Sequence, residues 1–303
     1  VYLCDRKVIK SGKFQANRVF AIPGETIEMK GNFTEGVDIK GGKFYQEQEL
    51  MDEYIGQAYK DIKALWKWYS DNVNDSNRDS IEKVVDERME PLRKKYSADL
   101  LVYAKQHSDQ ECIALLIDKL DDVKYKETLI SLMADNVKNG RMKAYYEPIF
   151  ESAKKRAEME EKAKKVQASG VDAPDFTLND INGKPFSLSS LRGKYVVIDF
   201  WGSWCIWCIK GMPKMKEYYE KYKGKFEILG VDCNDTEAKW KAAVEKHQLP
   251  WIHVYNPKGS DVLNKYAVQG FPTKIVLGPD GKIVKTIVGE DPAFYTLLDE
   301  VLK

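Results

Sequence analysis

Phe200-Trp201-Gly202-Ser203-Trp204-Cys205-Ile206-Trp207-Cys208 is the stretch around which the chain is organised. Strand-forming residues, Tyr195 to Phe200, lead into it. A helical pattern leads out, with Ile209, Met212, Met215, Tyr219 and Tyr222 on one face. A C-x-x-C therefore sits where a buried strand becomes a helix N-terminus. The first helical turn presents unpaired N–H groups and the positive end of the helix dipole, both favourable to an anion. A thiol there ionises more easily, and the thiolate is the nucleophile of disulfide exchange. The second cysteine lies on the same side of the first turn, close enough to close a disulfide.

Two blander readings compete. Half of a zinc site would need a second ligand pair. The other cysteines (Cys4, Cys112, Cys233) and the histidines (His107, His247, His253) stand singly, so no metal is expected. A purely structural disulfide would need neither this strand-to-helix placement nor three tryptophans around it.

Val197-Ile198-Asp199-Phe200-Trp201 followed by Trp204-Cys205 resembles the active-site strand and W-C-x-x-C of the thioredoxin superfamily. Pro213 falls where that family has a helix-kinking proline, and Gly270-Phe271-Pro272-Thr273 is similar to its cis-proline loop. Ala173-Pro174-Asp175-Phe176-Thr177-Leu178, Gly183-Lys184, Leu188 and Leu191-Arg192-Gly193-Lys194 resemble the TlpA/ResA and peroxiredoxin branches. The resemblance covers about residues 168–303. It implies an α/β thioredoxin-like fold, a central mixed sheet with helices on both faces, and thiol–disulfide oxidoreductase activity.

The 303 residues suit two domains. A formal net charge of +1 leaves no field for nucleic acid or an anionic membrane. No run is long enough to span a bilayer, and no signal-peptide core is present. The chain opens on Val1, and the expectation is a targeting segment ahead of it, with a lipid anchor as one form.

Residues 1–45 read as short strands at Val1–Leu3, Val19–Ile22, Thr26–Met29 and Val37–Ile39, the end of a truncated β-domain. Residues 46–166 read as a helical region. One long helix carries Leu50 to Trp66, and a break covers Asp71 to Asp79. A second helix contains Pro91, where a kink is expected. Ser108-Asp109-Gln110-Glu111 reads as a capping box opening Cys112 to Ile117. Further helices cover Leu129–Val137 and Tyr145–Val166, the last ending in a charged linker. Trp66, Trp68 and Tyr69 are expected in core or helix–helix contacts. Residues 167–303, the redox domain, alternate strands and helices.

Cys205, N-terminal and the more exposed of the pair, is assigned as the attacking thiolate, and Cys208 as the resolving thiol. By the resemblance, Asp199 is the buried acid that relays the Cys208 proton, with a raised pKa. Pro272 is expected in cis, leaving the Phe271 backbone free for an extended partner. Trp201 and Trp204 are expected to wall the site and Trp207 to meet substrate. The TlpA/ResA branch often carries Glu three residues after the second cysteine, where this chain has Gly211. Cys233 reads as an inert buried thiol, the histidines as surface or capping residues, and a Cys4–Cys112 pair would need folding to bring them together.

The resulting expectation is a reductant of protein disulfides outside the cytoplasm, in a periplasm, with cytochrome c maturation as one analogy. Its partners would be disulfide-bearing or dithiol proteins and an upstream thiol electron donor. Its only cofactor would be the redox-active disulfide itself. Two alternatives remain. A peroxiredoxin-like thiol peroxidase would want Thr and Arg near the reactive cysteine, where Trp201 to Trp204 stand. A partner-binding protein would be dominated by its helical region.

Overall fold

The computed structural model describes residues 2–4, 16–32 and 36–303. The chain divides into two units, Val1–Lys155 and Arg156–Lys303.

In the first unit, β1 (Tyr2–Cys4) pairs antiparallel with β2 (Ala16–Arg18), and β3 (Glu28–Asn32) with β4 (Gly36–Lys40). The strand expected at Val19–Ile22 does not form. Val19 and Ile22 are buried instead, Ile22 within the helical core. The Tyr45 hydroxyl donates to the Phe20 carbonyl at 2.8 Å and accepts from its N–H at 2.9 Å, so a side chain takes the bonds that a neighbouring strand would have made.

The helices are α1 (Lys43–Ala58), α2 (Lys60–Asn72), α3 (Arg78–Gln106), α4 (Val123–Leu132), α5 (Asp135–Lys138) and α6 (Lys143–Val166). The expected first helix is thus two. Tyr59 separates them with ψ −4°, shortly after Gly56, a weak helix former. The break at Asp71–Asp79 falls between α2 and α3, and α3 runs on through Pro91. Trp68 lies under the Arg88 guanidinium at 5.1 Å, and the Tyr69 hydroxyl donates to Glu82 at 3.2 Å, so both join α2 to α3. Trp66 stays exposed.

The capping box is not used. Glu111–Asp118 is a 3-10 helix whose first residue is preceded by Gln110, with no side-chain cap. The Glu111 carboxylate is taken by the Arg141 Nε at 2.9 Å, so it cannot reach back to the chain start. Cys112 to Ile117 are all buried, which a short turn enclosed by helices permits on every side.

In the second unit, β5 (Thr177–Asp180), β6 (Pro185–Ser187) and β7 (Tyr195–Trp201) precede α7 (Ile206–Lys221). Then come β8 (Phe226–Asp232), α8 (Glu237–Lys246), β9 (Ile252–Tyr255), α9 (Val262–Lys265), β10 (Thr273–Leu277), β11 (Ile283–Val288) and α10 (Ala293–Val301). The sheet order is β11-β10-β7-β8-β9-β5-β6. β7, β8 and β9 are parallel, while β10, β11 and β5 pair antiparallel.

Alternation along β7 sorts two cores. Val197 and Trp201 pack with Met212, Trp240, Phe294 and Leu298 from α7, α8 and α10. Val196, Ile198 and Phe200 pack with Leu188, Leu191, Val262 and Tyr266 on the opposite face. Both faces of the parallel strands are therefore covered, as their continuous apolar runs require. This is the thioredoxin-like fold.

Candidate active site

β7 ends at Trp201, whose carbonyl accepts the Cys233 N–H at 2.8 Å. The next residue must be glycine. A Cβ on Gly202 would stand 2.5 Å from the Trp204 indole nitrogen and 2.8 Å from the Cys233 carbonyl oxygen. The turn beyond is pinned to the end of β8. Asp235 accepts from the Ser203 N–H at 2.6 Å and from its hydroxyl at 2.8 Å, and the Trp204 indole donates to the Cys233 carbonyl at 3.0 Å.

Cys205 is then the N-cap of α7, with extended backbone, and its Sγ accepts the Cys208 N–H at 3.1 Å. A sulfur in that position receives a donor that the helix leaves unpaired. Cys205 and Cys208 form a disulfide with their Cα atoms 5.3 Å apart. Their exposures are 5% and 4%, so the expected difference in access is absent in the disulfide and position alone distinguishes them.

Asp199 shares the sheet face of Val197 and Trp201, the face against which both cysteines pack. It is buried, and its Oδ1 has no hydrogen-bond partner among the described residues. Burial pushes its carboxyl up to about 6; the Lys274 charge opposes this and Glu290 adds to it. Lys274 is directly opposite Asp199 on β10, and only 1% exposed. Its ammonium pairs with Glu290 Oε2 at 2.9 Å, and the Tyr295 hydroxyl donates to Glu290 Oε1 at 2.8 Å. Sequence reasoning missed Lys274 and Glu290. The available signal was a lysine inside the run Thr273–Leu277, since a lysine between buried strand residues demands a partner.

The Phe271–Pro272 bond is cis. Phe271 meets the Trp204 ring edge-on at 5.3 Å, which places this loop beside the cysteine turn. Trp204, Ile206 and Trp207 are half or more exposed, and the Lys210 ammonium lies 4.4 Å over the Trp207 ring. Trp201 differs from the expectation. It is 1% exposed and lies beneath the cysteines in their core, so it has no surface to offer a substrate.

His253 also corrects the sequence reading. It is buried on β9, its ring 5.9 Å from those of Trp201 and Trp251. Gly230 makes the room, since a Cβ there would stand 2.7 Å from Nδ1. Burial pushes the imidazole down to about 3. His107 and His247 occupy helix C-caps, as read. Cys112 and Cys233 are free and buried, and burial pushes the Cys112 thiol up to about 12 and that of Cys233 higher still. The side chain of Cys4 lies outside the described residues. Asp232 is a further buried acid at the end of β8, pushed up to about 8 by burial and by Asp235.

A thioredoxin-like sheet whose central strand delivers a disulfide to the first turn of a helix defines a class, the thiol–disulfide oxidoreductases. Within it, the chain belongs to the ResA-type family. The thiol-disulfide oxidoreductase ResA of Bacillus anthracis is 40% identical over 122 residues, 40% of this chain and 70% of that protein. ResA of Bacillus subtilis (strain 168) is 35% identical over 123 residues, 40% of this chain and 68% of that protein. The AhpC/TSA family profile matches residues 169–286. Among solved structures, the thioredoxin domain of a thiol-disulfide oxidoreductase from Bacteroides vulgatus is 35% identical with a TM-score of 0.43, covering 45% of this chain and 99% of that one. No helix among the described residues is long and apolar enough to cross a membrane.

Proposed function

We propose that the chain exchanges disulfides with protein substrates through Cys205 and Cys208, and that it acts as a reductant. The observation that carries the exchange is the Cys205 sulfur at the α7 N-cap, accepting the Cys208 N–H beside a buried acid. In the reduced enzyme, the Cys205 thiolate attacks one sulfur of the partner's disulfide. That bond breaks, a mixed disulfide forms, and the departing partner thiolate takes a proton. Asp199, as carboxylate, receives the proton of the Cys208 thiol. The Cys208 thiolate then attacks the Cys205 sulfur, closes the enzyme disulfide and expels the second partner thiolate, which takes up the second proton. The partner gains two electrons and two protons, and an upstream thiol donor restores the dithiol.

Client contact falls to the rim of Trp204, Trp207 and Phe271, with an extended segment pairing along the backbone at Phe271 and Pro272. No cofactor beyond the cysteine pair is invoked. The reductive direction rests on the resemblance to the TlpA/ResA branch. So does an extracytoplasmic, membrane-tethered location, which would bring the site to newly oxidised proteins.

Trapping tests the roles. Cys208→Ser should accumulate mixed disulfides with client proteins and Cys205→Ser none; equal trapping would sink the assignment. Titration of the pair against glutathione tests direction, since a potential well above that of glutathione would make it an oxidant. Rapid peroxide consumption would favour the peroxidase reading.

A further inference from the structure

Gly211 lies in α7 one turn beyond Cys208, and on that buried side it carries no side chain. The hollow is filled from another element. A Cβ on Gly211 would stand 2.3 Å from Glu290 Oε2, 2.5 Å from its Cδ and 2.7 Å from Oε1. Glu290 arrives from the segment between β11 and α10, whose Gly289 N–H donates to the Pro272 carbonyl at 2.8 Å. That segment is therefore fastened to the cis-proline loop while its carboxylate reaches under the cysteine helix.

We propose that Glu290 is a positioning residue for the Cys205–Cys208 pair: seated in the Gly211 hollow, it holds the Lys274 ammonium and so decides how much of that charge Asp199 receives. Lys274 stands opposite Asp199 across the β7–β10 pair and bonds Glu290 at 2.9 Å. One buried cation thus serves two carboxylates. With Glu290 engaged, Lys274 stabilises the Asp199 anion only in part, and Asp199 keeps its affinity for a proton. Without the Glu290 charge, Lys274 would act on Asp199 alone and make it a weaker base.

The other groups packed here leave that balance to the three. Tyr295 on α10 donates to Glu290 at 2.8 Å, and the Lys214 ammonium of α7 lies 4.2 Å over the Tyr295 ring. The Tyr218 ring of α7 meets that of Tyr295 at 4.8 Å, tilted by 52°, and the Phe294 ring lies 5.5 Å from the Lys274 ammonium. Cys208 on α7 lies in the same core, and Asp232, the buried acid at the end of β8, falls on the same sheet face. The charges that act on Asp199 are those of Lys274, which is buried, and Glu290, whose side chain is 19% exposed.

This inference rests on the exchange reading of the cysteine pair, and its test separates the two. The whole chain is labelled with carboxyl-13C aspartate, and the Asp199 signal, assigned by its loss in Asp199→Asn, is titrated by NMR. In Glu290→Gln the midpoint should fall by about one pH unit or more, the usual effect of an opposite charge acting alone. In the double variant Glu290→Gln with Lys274→Met, which leaves neither charge unpaired, it should instead rise above the wild-type value. A role confined to packing would not reverse the direction between variants. An unmoved midpoint in Glu290→Gln, or a shift in one direction in both variants, overturns the proposal. Should Glu290→Gln fail to fold, the double variant decides alone: a midpoint at or below wild type refutes it. Exchange with oxidised glutathione by the reduced wild type, read in parallel, tests the cysteine pair independently of Glu290.

Discussion

Gly211→Ala is a substitution that helix propensity alone would recommend. In a helix interior it gains about 1 kcal/mol. Here the added Cβ would stand 2.3–2.7 Å from three carboxyl atoms of Glu290, against an ordinary contact distance of about 3.5 Å. The whole carboxylate must retreat by about 1 Å, and its bonds to Lys274 at 2.9 Å and Tyr295 at 2.8 Å stretch out of range. Each hydrogen bond to a charged group contributes about 1.5–3 kcal/mol, so a net loss of about 2–5 kcal/mol is expected. For a unit of this size that lowers the melting temperature by roughly 5–15 °C. Calorimetry of the whole chain reads it. The control is the cycle with Glu290→Ala, in whose background Gly211→Ala has room and should recover the helix gain. If Gly211→Ala stabilises the wild type, or if the two substitutions add within about 0.5 kcal/mol, the packing argument fails.

Asp199→Asn should change stability only above a threshold pH. The carboxyl is raised from 3.8 to about 6, so folding favours its protonated form. The stability due to this group is complete below pH 3.8 and is lost as pH rises through 6. The substitution should therefore gain about 3 kcal/mol at pH 7 and nothing at pH 3.5, read by urea unfolding; a pH-independent gain would refute it. Trp207→Ala removes an exposed ring from the rim. It should slow exchange with a denatured disulfide protein by roughly five-fold, about 1 kcal/mol, and leave exchange with glutathione unaltered; equal slowing of both would remove Trp207 from client contact. Gly230→Ala would press a Cβ to 2.7 Å from the His253 Nδ1, so thermal stability should fall by about 1–3 kcal/mol, and an unchanged melting temperature would contradict the buried placement of His253.

The redox half was legible because its signals are local. An apolar strand, a C-x-x-C at its end and an amphipathic helix after it are neighbours in sequence, and the order of elements from β7 to α10 follows from them. Residues that act through space were not. Lys274 and Glu290 lie far along the chain from Cys208, and only the β7–β10 pairing brings Lys274 opposite Asp199. The departure at Gly211 was visible, but what fills its space was not. Trp201 and His253 were misjudged for one reason: residue type was weighed without the second covering layer that buries both faces of β7 and β9. In the helical half, Glu111 matched a capping motif, but tertiary contact with Arg141 claimed its carboxylate. The run Val19–Ile22 has strand composition, yet its backbone bonds go to the Tyr45 hydroxyl.

In the proposed exchange, proton transfer from Cys208 to Asp199 sets what the charges beneath the cysteines must achieve. An ordinary thiol titrates near 8.5. A carboxylate at its usual 3.8 would take a thiol proton uphill by about 5 pH units, or roughly 6 kcal/mol. At about 6, Asp199 narrows that gap to about 2.5 units, roughly 3.4 kcal/mol. Burial alone would achieve this, but an isolated buried acid gives up its proton at correspondingly greater cost. A full ion pair with Lys274 would err in the other direction and return the carboxyl to a weak base. Sharing Lys274 with Glu290 holds Asp199 between these limits, able both to accept the Cys208 proton and to release it when the pair is reduced again. On that proposal the position of Glu290 in the Gly211 hollow is part of the acid–base design of the site, and a side chain at 211 would be incompatible with it.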